Sequence, residues 1–86
     1  MSKKFKVKSV TINQLSEREY DFTVPKAGID AHCRLEPVTG WVLDVFKGQE
    51  HVLTESVADS FASQPDFTHI VTTLLNWNEH EQHQPK

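Results

Sequence analysis

With Cys33 as its sole cysteine, the chain can close no internal disulfide, and a reducing, cytoplasmic setting is expected. Its three glycines, at positions 28, 40 and 48, are too scattered to build a phosphate-cradling loop. No G-x-x-x-x-G-K-[ST], G-x-G-x-x-G or G-x-S-x-G pattern occurs, so the common nucleotide-binding and serine-hydrolase signatures are missing. No stretch approaches the ~20 consecutive apolar residues that span a bilayer. Met1-Ser2-Lys3-Lys4-Phe5-Lys6 is basic but leads into no apolar core of signal-peptide length, so no membrane is expected among the partners.

Apolar residues are scarce as well, at 37% of 86 residues. One domain of this size folds with a thin margin, which favours stabilisation by a homodimer or by another protein. Charge is uneven along the chain. Residues 1–47 hold eight of the nine Lys and Arg and six of the twelve acids, while residues 48–86 hold one Lys and six acids. Such a dipolar distribution suits orientation of a partner more than wholesale binding to a polyanion, and its plainer meaning is a set of solvent-facing charges.

The clearest pattern is C-terminal. Phe67, Ile70, Val71, Leu74 and Leu75 follow the spacing of a single apolar stripe, predicting a helix over 65–77 with Trp77 at its edge. Thr68, His69, Thr72 and Thr73 point away from that stripe. A shorter helix is expected to precede it, capped by Thr54 or Ser56, with Val57, Ala58, Phe61 and Ala62 as its apolar side. Residues 79–86 read as a polar, frayed tail beyond a domain spanning 1–78.

Strands come first. Phe5 and Val7 alternate with Lys6 and Lys8, but Val10 and Ile12 fall on the opposite parity, so this strand is either bulged near Lys8 and Ser9 or apolar on both sides. The segment 13–19 reads as a connection. Tyr20, Phe22 and Val24 alternate cleanly up to Pro25, and Cys33 and Leu35 share a face of a third strand. Pro37 to Gly40 has turn composition. In the fourth strand, Trp41, Leu43 and Val45 lie on one face, while Val42 and Phe46 flank Asp44 on the other. A strand apolar on both faces is expected to be central. The predicted fold is α+β: a three- or four-stranded, mainly antiparallel sheet followed by two C-terminal helices packed on one face.

Chemistry is hard to find. His32 and Cys33 adjoin, but neighbours on a strand point to opposite faces, so a nucleophile would need His51 or His69 delivered by the fold. The plainer reading makes Cys33 a small buried hydrophobe. His80 and His83 have one-face helical spacing, with Glu79 and Glu81 beside them, yet adventitious surface binding is the better account of any metal there. Asp44 has large apolar neighbours, and desolvation there would raise its pKa, but a carboxylate that is exposed or caps a nearby turn is the better reading, with a polar anchor within an apolar interface as a second role. No catalytic residue, cofactor or metal is assigned, and no enzyme is expected.

The leading expectation is a small binding or regulatory protein acting on another protein through the sheet face that its helices leave uncovered. Its contact residues are Val42, Asp44 and Phe46, supported by Val10 and Ile12, and the same face offers a route to a homodimer. The alternative is a nucleic-acid-binding accessory protein using Lys3, Lys4, Lys6 and Lys8, with Phe5, Tyr20 and Trp41 as aromatics on strands.

Overall fold

The computed structural model describes residues 3–82, with side chains described through residue 77. It contains β1 (Lys3–Val7), β2 (Val10–Ser16), β3 (Glu19–Val24), β4 (Ile29–Glu36), β5 (Gly40–Lys47), β6 (Glu50–Ala58) and α1 (Phe67–Gln82). The strands form one six-stranded antiparallel sheet in sequential order. Every connection is a hairpin, as short links between consecutive strands require.

Six strands and one helix replace the expected three or four strands and two helices, and two local misreadings account for the difference. The parity change after Val7 is neither a bulge nor a doubly apolar strand, because the chain reverses at Lys8 and Ser9. Val7 then pairs with Val10 and Phe5 with Ile12, so all four share one face. Lys8 makes the tight turn with φ 56°, the left-handed region that hairpin turns demand.

The second misreading concerns residues 54–62. Val57, Ala58, Phe61 and Ala62 fit a helical period, yet residues 50–58 continue the sheet, where the β-branched Val52, Thr54 and Val57 suit a pleated strand. Irregularities between Trp41 and Val42 and between Val45 and Phe46 disturb the β5–β6 register, which hides the strand's alternation from a two-residue pattern. Phe61 lies beyond the strand and is 96% exposed. Residues 13–16, expected as connection, complete β2, leaving Glu17 and Arg18 as the turn. β5, expected to be central, is the fifth of six strands.

The helical stripe lies where its periodicity puts it. Ile70, Val71 and Leu74 are buried, and Phe67, Leu75 and Trp77 pack at the margin. Asp66 caps the helix, its Oδ1 accepting the His69 backbone N–H at 3.1 Å, while the Asp66 carbonyl accepts that of Ile70. The helix continues through 79–82, which the sequence pattern assigned to a tail; 83–86 lie outside the described residues.

One helix serves six strands because the sheet curls around it. Flat, the outer strands would stand ~24 Å apart at the usual interstrand spacing. Phe67 nevertheless meets Phe5 of β1 at 6.0 Å between ring centroids, and His69, two residues on, reaches Glu55 of β6 at 3.2 Å. A helix ~10–12 Å thick touches both edges within one turn only if the sheet is a trough. The concave side collects Val10, Ile12, Tyr20, Phe22, Cys33, Trp41 and Leu43, all buried beneath α1 or beside its start. The convex side has no element over it among the described residues.

Candidate functional site

The convex face is the open one, and strand alternation decides what it displays. From β3 come Glu19 and Asp21, from β4 Asp30, His32, Arg34 and Glu36, and from β5 Val42, Asp44 and Phe46. Thr54 of β6 stands opposite Asp44 in register. Val42 and Phe46 are half-buried, and Phe46 leans on the His51 ring at 5.1 Å between centroids. Val10 and Ile12 are not part of this face. Both are fully buried on the concave side, because the hairpin at Lys8 and Ser9 turns them under the helix.

Asp44 is the hub of the face. Its Oδ2 accepts Arg34 Nη1–H at 2.5 Å, and its Oδ1 accepts the Thr54 hydroxyl at 2.6 Å, with His51 Nε2 3.3 Å from the same oxygen. Arg34 also donates through Nε–H to Glu36 Oε2 at 2.6 Å, so a single guanidinium ties two carboxylates together. The Thr54 hydroxyl, with Arg34 and His51 behind it, holds the Asp44 carboxyl below its ordinary range despite opposing desolvation. Desolvation by its apolar neighbours, the less favoured expectation for Asp44, opposes this shift without prevailing. Asp44 is an ionised acceptor saturated with donors, a poor proton shuttle and a well-fixed negative charge.

A second cluster lies one strand over. His32 stands between Asp21, 2.8 Å from its Nδ1, and Glu19, 3.2 Å from its Nε2. Beside it, Phe46, Asp30 and His32 border a shallow hollow of about 170 Å³. The register explains both clusters: His32 pairs with Asp21 on one side and Asp44 on the other, and Arg34 pairs with Glu19 and Val42.

Cys33 faces away from all of this. It is fully buried on the concave side, and burial pushes its thiol up to about 12. Neither histidine considered as its base reaches it: His51 is bound to Asp44 and Thr54, and His69 to Glu55. Among the described residues, no three His, Cys, Asp or Glu side chains are grouped to hold a metal ion. The side chains of the His80/His83 pair lie outside the described residues.

The basic N-terminal residues occupy an edge. Lys4 and Lys6 of β1 share the convex face, Lys3 is on the other parity with Phe5, and Lys8 is in the turn. The aromatics that would have accompanied them are engaged elsewhere. Phe5 and Tyr20 pack on Phe67, and Trp41 is fully buried.

Sequence reasoning passed over Arg34, His51 and Thr54 as partners of Asp44. Arg34 carried a usable signal, because it shares parity with Glu36 on one strand. Thr54 carried none while it was read as a helix cap. No protein-family model, curated protein or solved structure matches this chain. No helix among the described residues is long and apolar enough to cross a membrane.

Proposed function

We propose that the chain is a small binding or regulatory protein whose convex sheet face docks on another protein. The supporting observation is the arrangement around Asp44: a carboxylate locked by Arg34, Thr54 and His51, with the half-buried Val42 and Phe46 on either side along β5. Fixed side chains lose little entropy on binding, so a preorganised polar centre flanked by apolar contacts is economical for recognition. The face also has a sign. Glu19, Asp21, Asp30, Glu36 and Asp44 outnumber Arg34 across β3 to β5, which suits a partner presenting apolar side chains within a basic rim. A binding role rather than catalysis also fits the saturated Asp44 and the buried Cys33 thiol. That single buried thiol accords with a reducing, cytoplasmic setting.

The nucleic-acid reading has less behind it. Lys4 and Lys6 stand at the edge of a predominantly acidic face, and of the aromatics that would stack bases Tyr20 and Trp41 are buried while Phe5, on the other parity from these lysines, packs on Phe67.

The test is capture of a defined partner by the immobilised chain in the presence of nuclease, compared with a Val42→Ser/Phe46→Ser double variant and with Asp30→Lys. Docking on the convex face requires that the double variant lose the partner while keeping its fold by circular dichroism, and that Asp30→Lys weaken it. Equal capture by the folded double variant would refute the reading. Recovery that disappears with nuclease and falls steeply with salt would instead favour the β1 lysines.

A further inference from the structure

The sheet is open, so β1 and β6 each have a strand neighbour on one side only. What the β1 edge offers follows from its register. A two-residue loop closes on a hydrogen-bonded pair, here Val7 with Val10, and bonded and non-bonded pairs alternate away from the turn. Val7, Phe5 and Lys3 therefore direct their backbone groups to β2. Lys4 and Lys6 direct theirs outward, and both residues are exposed. Backbone N–H and C=O groups set out in strand geometry are a template for another strand.

Proteins guard such edges with bulges or with charge. β6 has the first kind of guard. Its pairing with β5 shifts between Trp41 and Val42 and again between Val45 and Phe46. Its side chains are also engaged, Thr54 with Asp44 and Glu55 with His69 and Thr73. β1, by contrast, runs in unbroken register and carries Lys3, Lys4 and Lys6, with Lys8 in the turn. None of these four lysines is paired with a carboxylate among the described residues. Like charge turns away a second β1, whereas a strand of opposite sign meets no such barrier.

The two sides of β1 define that strand further. Lys4 and Lys6 stand on the convex side. On the concave side Phe5 remains 37% exposed although its ring meets that of Phe67 at 6.0 Å, so apolar surface is left at the rim of the trough. An added strand alternates its side chains between the same two sides. Acidic side chains would then meet Lys4 and Lys6, and apolar ones would cover Phe5. A nucleic acid would use the charge but not the outward backbone groups, and the one ring of β1 lies on the side away from Lys4 and Lys6.

We propose that β1 is a docking edge for an extended segment of another protein in which acidic and apolar residues alternate, added to the sheet beside β1. The edge is separate from Val42, Asp44 and Phe46 and does not depend on the convex-face reading.

The probe is a fluorescein-labelled peptide of alternating Glu and Val, capped at both ends and slightly longer than β1, titrated by fluorescence anisotropy. Binding should saturate, and Lys4→Gln/Lys6→Gln should weaken it by about tenfold. Both positions are exposed, so the double variant is expected to fold, as checked by circular dichroism. A peptide of the same composition with Glu and Val in separate blocks should also bind about tenfold more weakly. Methylating the amide nitrogens of one alternate set of peptide residues should abolish binding, and methylating the other set should leave it intact, because only every second N–H faces β1. Hydrogen exchange at the Lys4 and Lys6 amides should slow when the peptide is added. Val42→Ser/Phe46→Ser should bind the peptide like the wild type, so the two proposals fail separately. No saturable binding by the wild type, equal binding of blocked and alternating peptides, or indifference to both methylated sets overturns the proposal. So does an oligothymidylate of equal charge that binds as tightly and displaces the peptide, which would make the lysines a general anion patch.

Discussion

Thr54 donates its hydroxyl to Asp44 across the β5–β6 pairing at 2.6 Å, and this bond, with the Arg34 contact behind it, holds the Asp44 carboxyl below its ordinary range. The two residues stand opposite each other in register, so their meeting follows from strand pairing rather than from a long side chain bridging a gap. With a side chain 18% exposed, Asp44 is shielded enough for its partners to matter and open enough to be met by a ligand group.

The pH dependence follows in sign from that bond. A carboxyl held lower in the folded state than its ordinary 3.8 favours folding whenever it is ionised. The contribution is complete above the unfolded-state value and disappears as pH falls through the folded one. Replacing Thr54 by Val removes the largest cause, so the Asp44 carboxyl should titrate at a higher pH, read from its side-chain carbon shift by NMR. Stability at neutral pH should fall by about 1 kcal/mol, the usual net worth of one hydrogen bond. An unmoved Asp44 titration in Thr54→Val would show that Arg34 alone sets the charge.

Gly40 carries a sharper expectation. At φ 84°, a Cβ added there would lie 2.4 Å from the Ala58 carbonyl oxygen and 2.7 Å from the Asp59 carbonyl carbon. Both are backbone atoms on the neighbouring strand end and cannot swing away. Gly40→Ala should therefore lose about 3 kcal/mol or more, from steric overlap added to left-handed strain. Urea unfolding measures it, and a loss under about 1 kcal/mol would mean that β5 and β6 separate easily at this end.

What the sequence disclosed and what it concealed divide along physical lines. The stripe from Phe67 to Leu75 was legible because a long helix repeats its period several times. The concave face of β3 was legible because Tyr20, Phe22 and Val24 alternate without interruption. β6 was concealed because bulges opposite Trp41 and Val45 shift its parity midway, and its end mimics a helical period. The hairpin at Lys8 and Ser9 left its mark as a parity change, but Lys8, which takes the left-handed φ, is not a usual turn former. Placing Val42, Asp44 and Phe46 on one face needed only alternation. Finding Arg34, His51 and Thr54 around Asp44 needed the pairing of three strands, which no local pattern encodes.

Lys8 offers a gain rather than a loss. A side chain in the left-handed region costs roughly 1–2 kcal/mol, and glycine escapes that cost while adding some unfolded-state entropy. Lys8→Gly should therefore stabilise the protein by about 0.5 kcal/mol, seen as a rise of a few degrees in Tm. A fall in Tm would indicate that the lysine side chain makes a contact outweighing the backbone strain.

Cys33 links burial to both reactivity and alkaline stability. With its thiol fully buried and pushed up to about 12, almost no thiolate forms in the folded protein at neutral pH. A disulfide reagent should modify native Cys33 at least about a hundredfold more slowly than the urea-unfolded chain, with opening of the trough setting the pace. The sign of the pH effect is opposite to that of Asp44. A folded-state value raised above the ordinary 9.0 gives a contribution present in full below that pH and lost as pH rises toward the folded value. Tyr20, raised by burial and then by Cys33, should act in the same direction. Cys33→Ala abolishes the cysteine part. Its stability should therefore fall less steeply than the wild type's between neutral pH and about pH 10, even though the smaller side chain lowers stability throughout. Parallel slopes in urea unfolding across that range would place the alkaline sensitivity on Tyr20 alone.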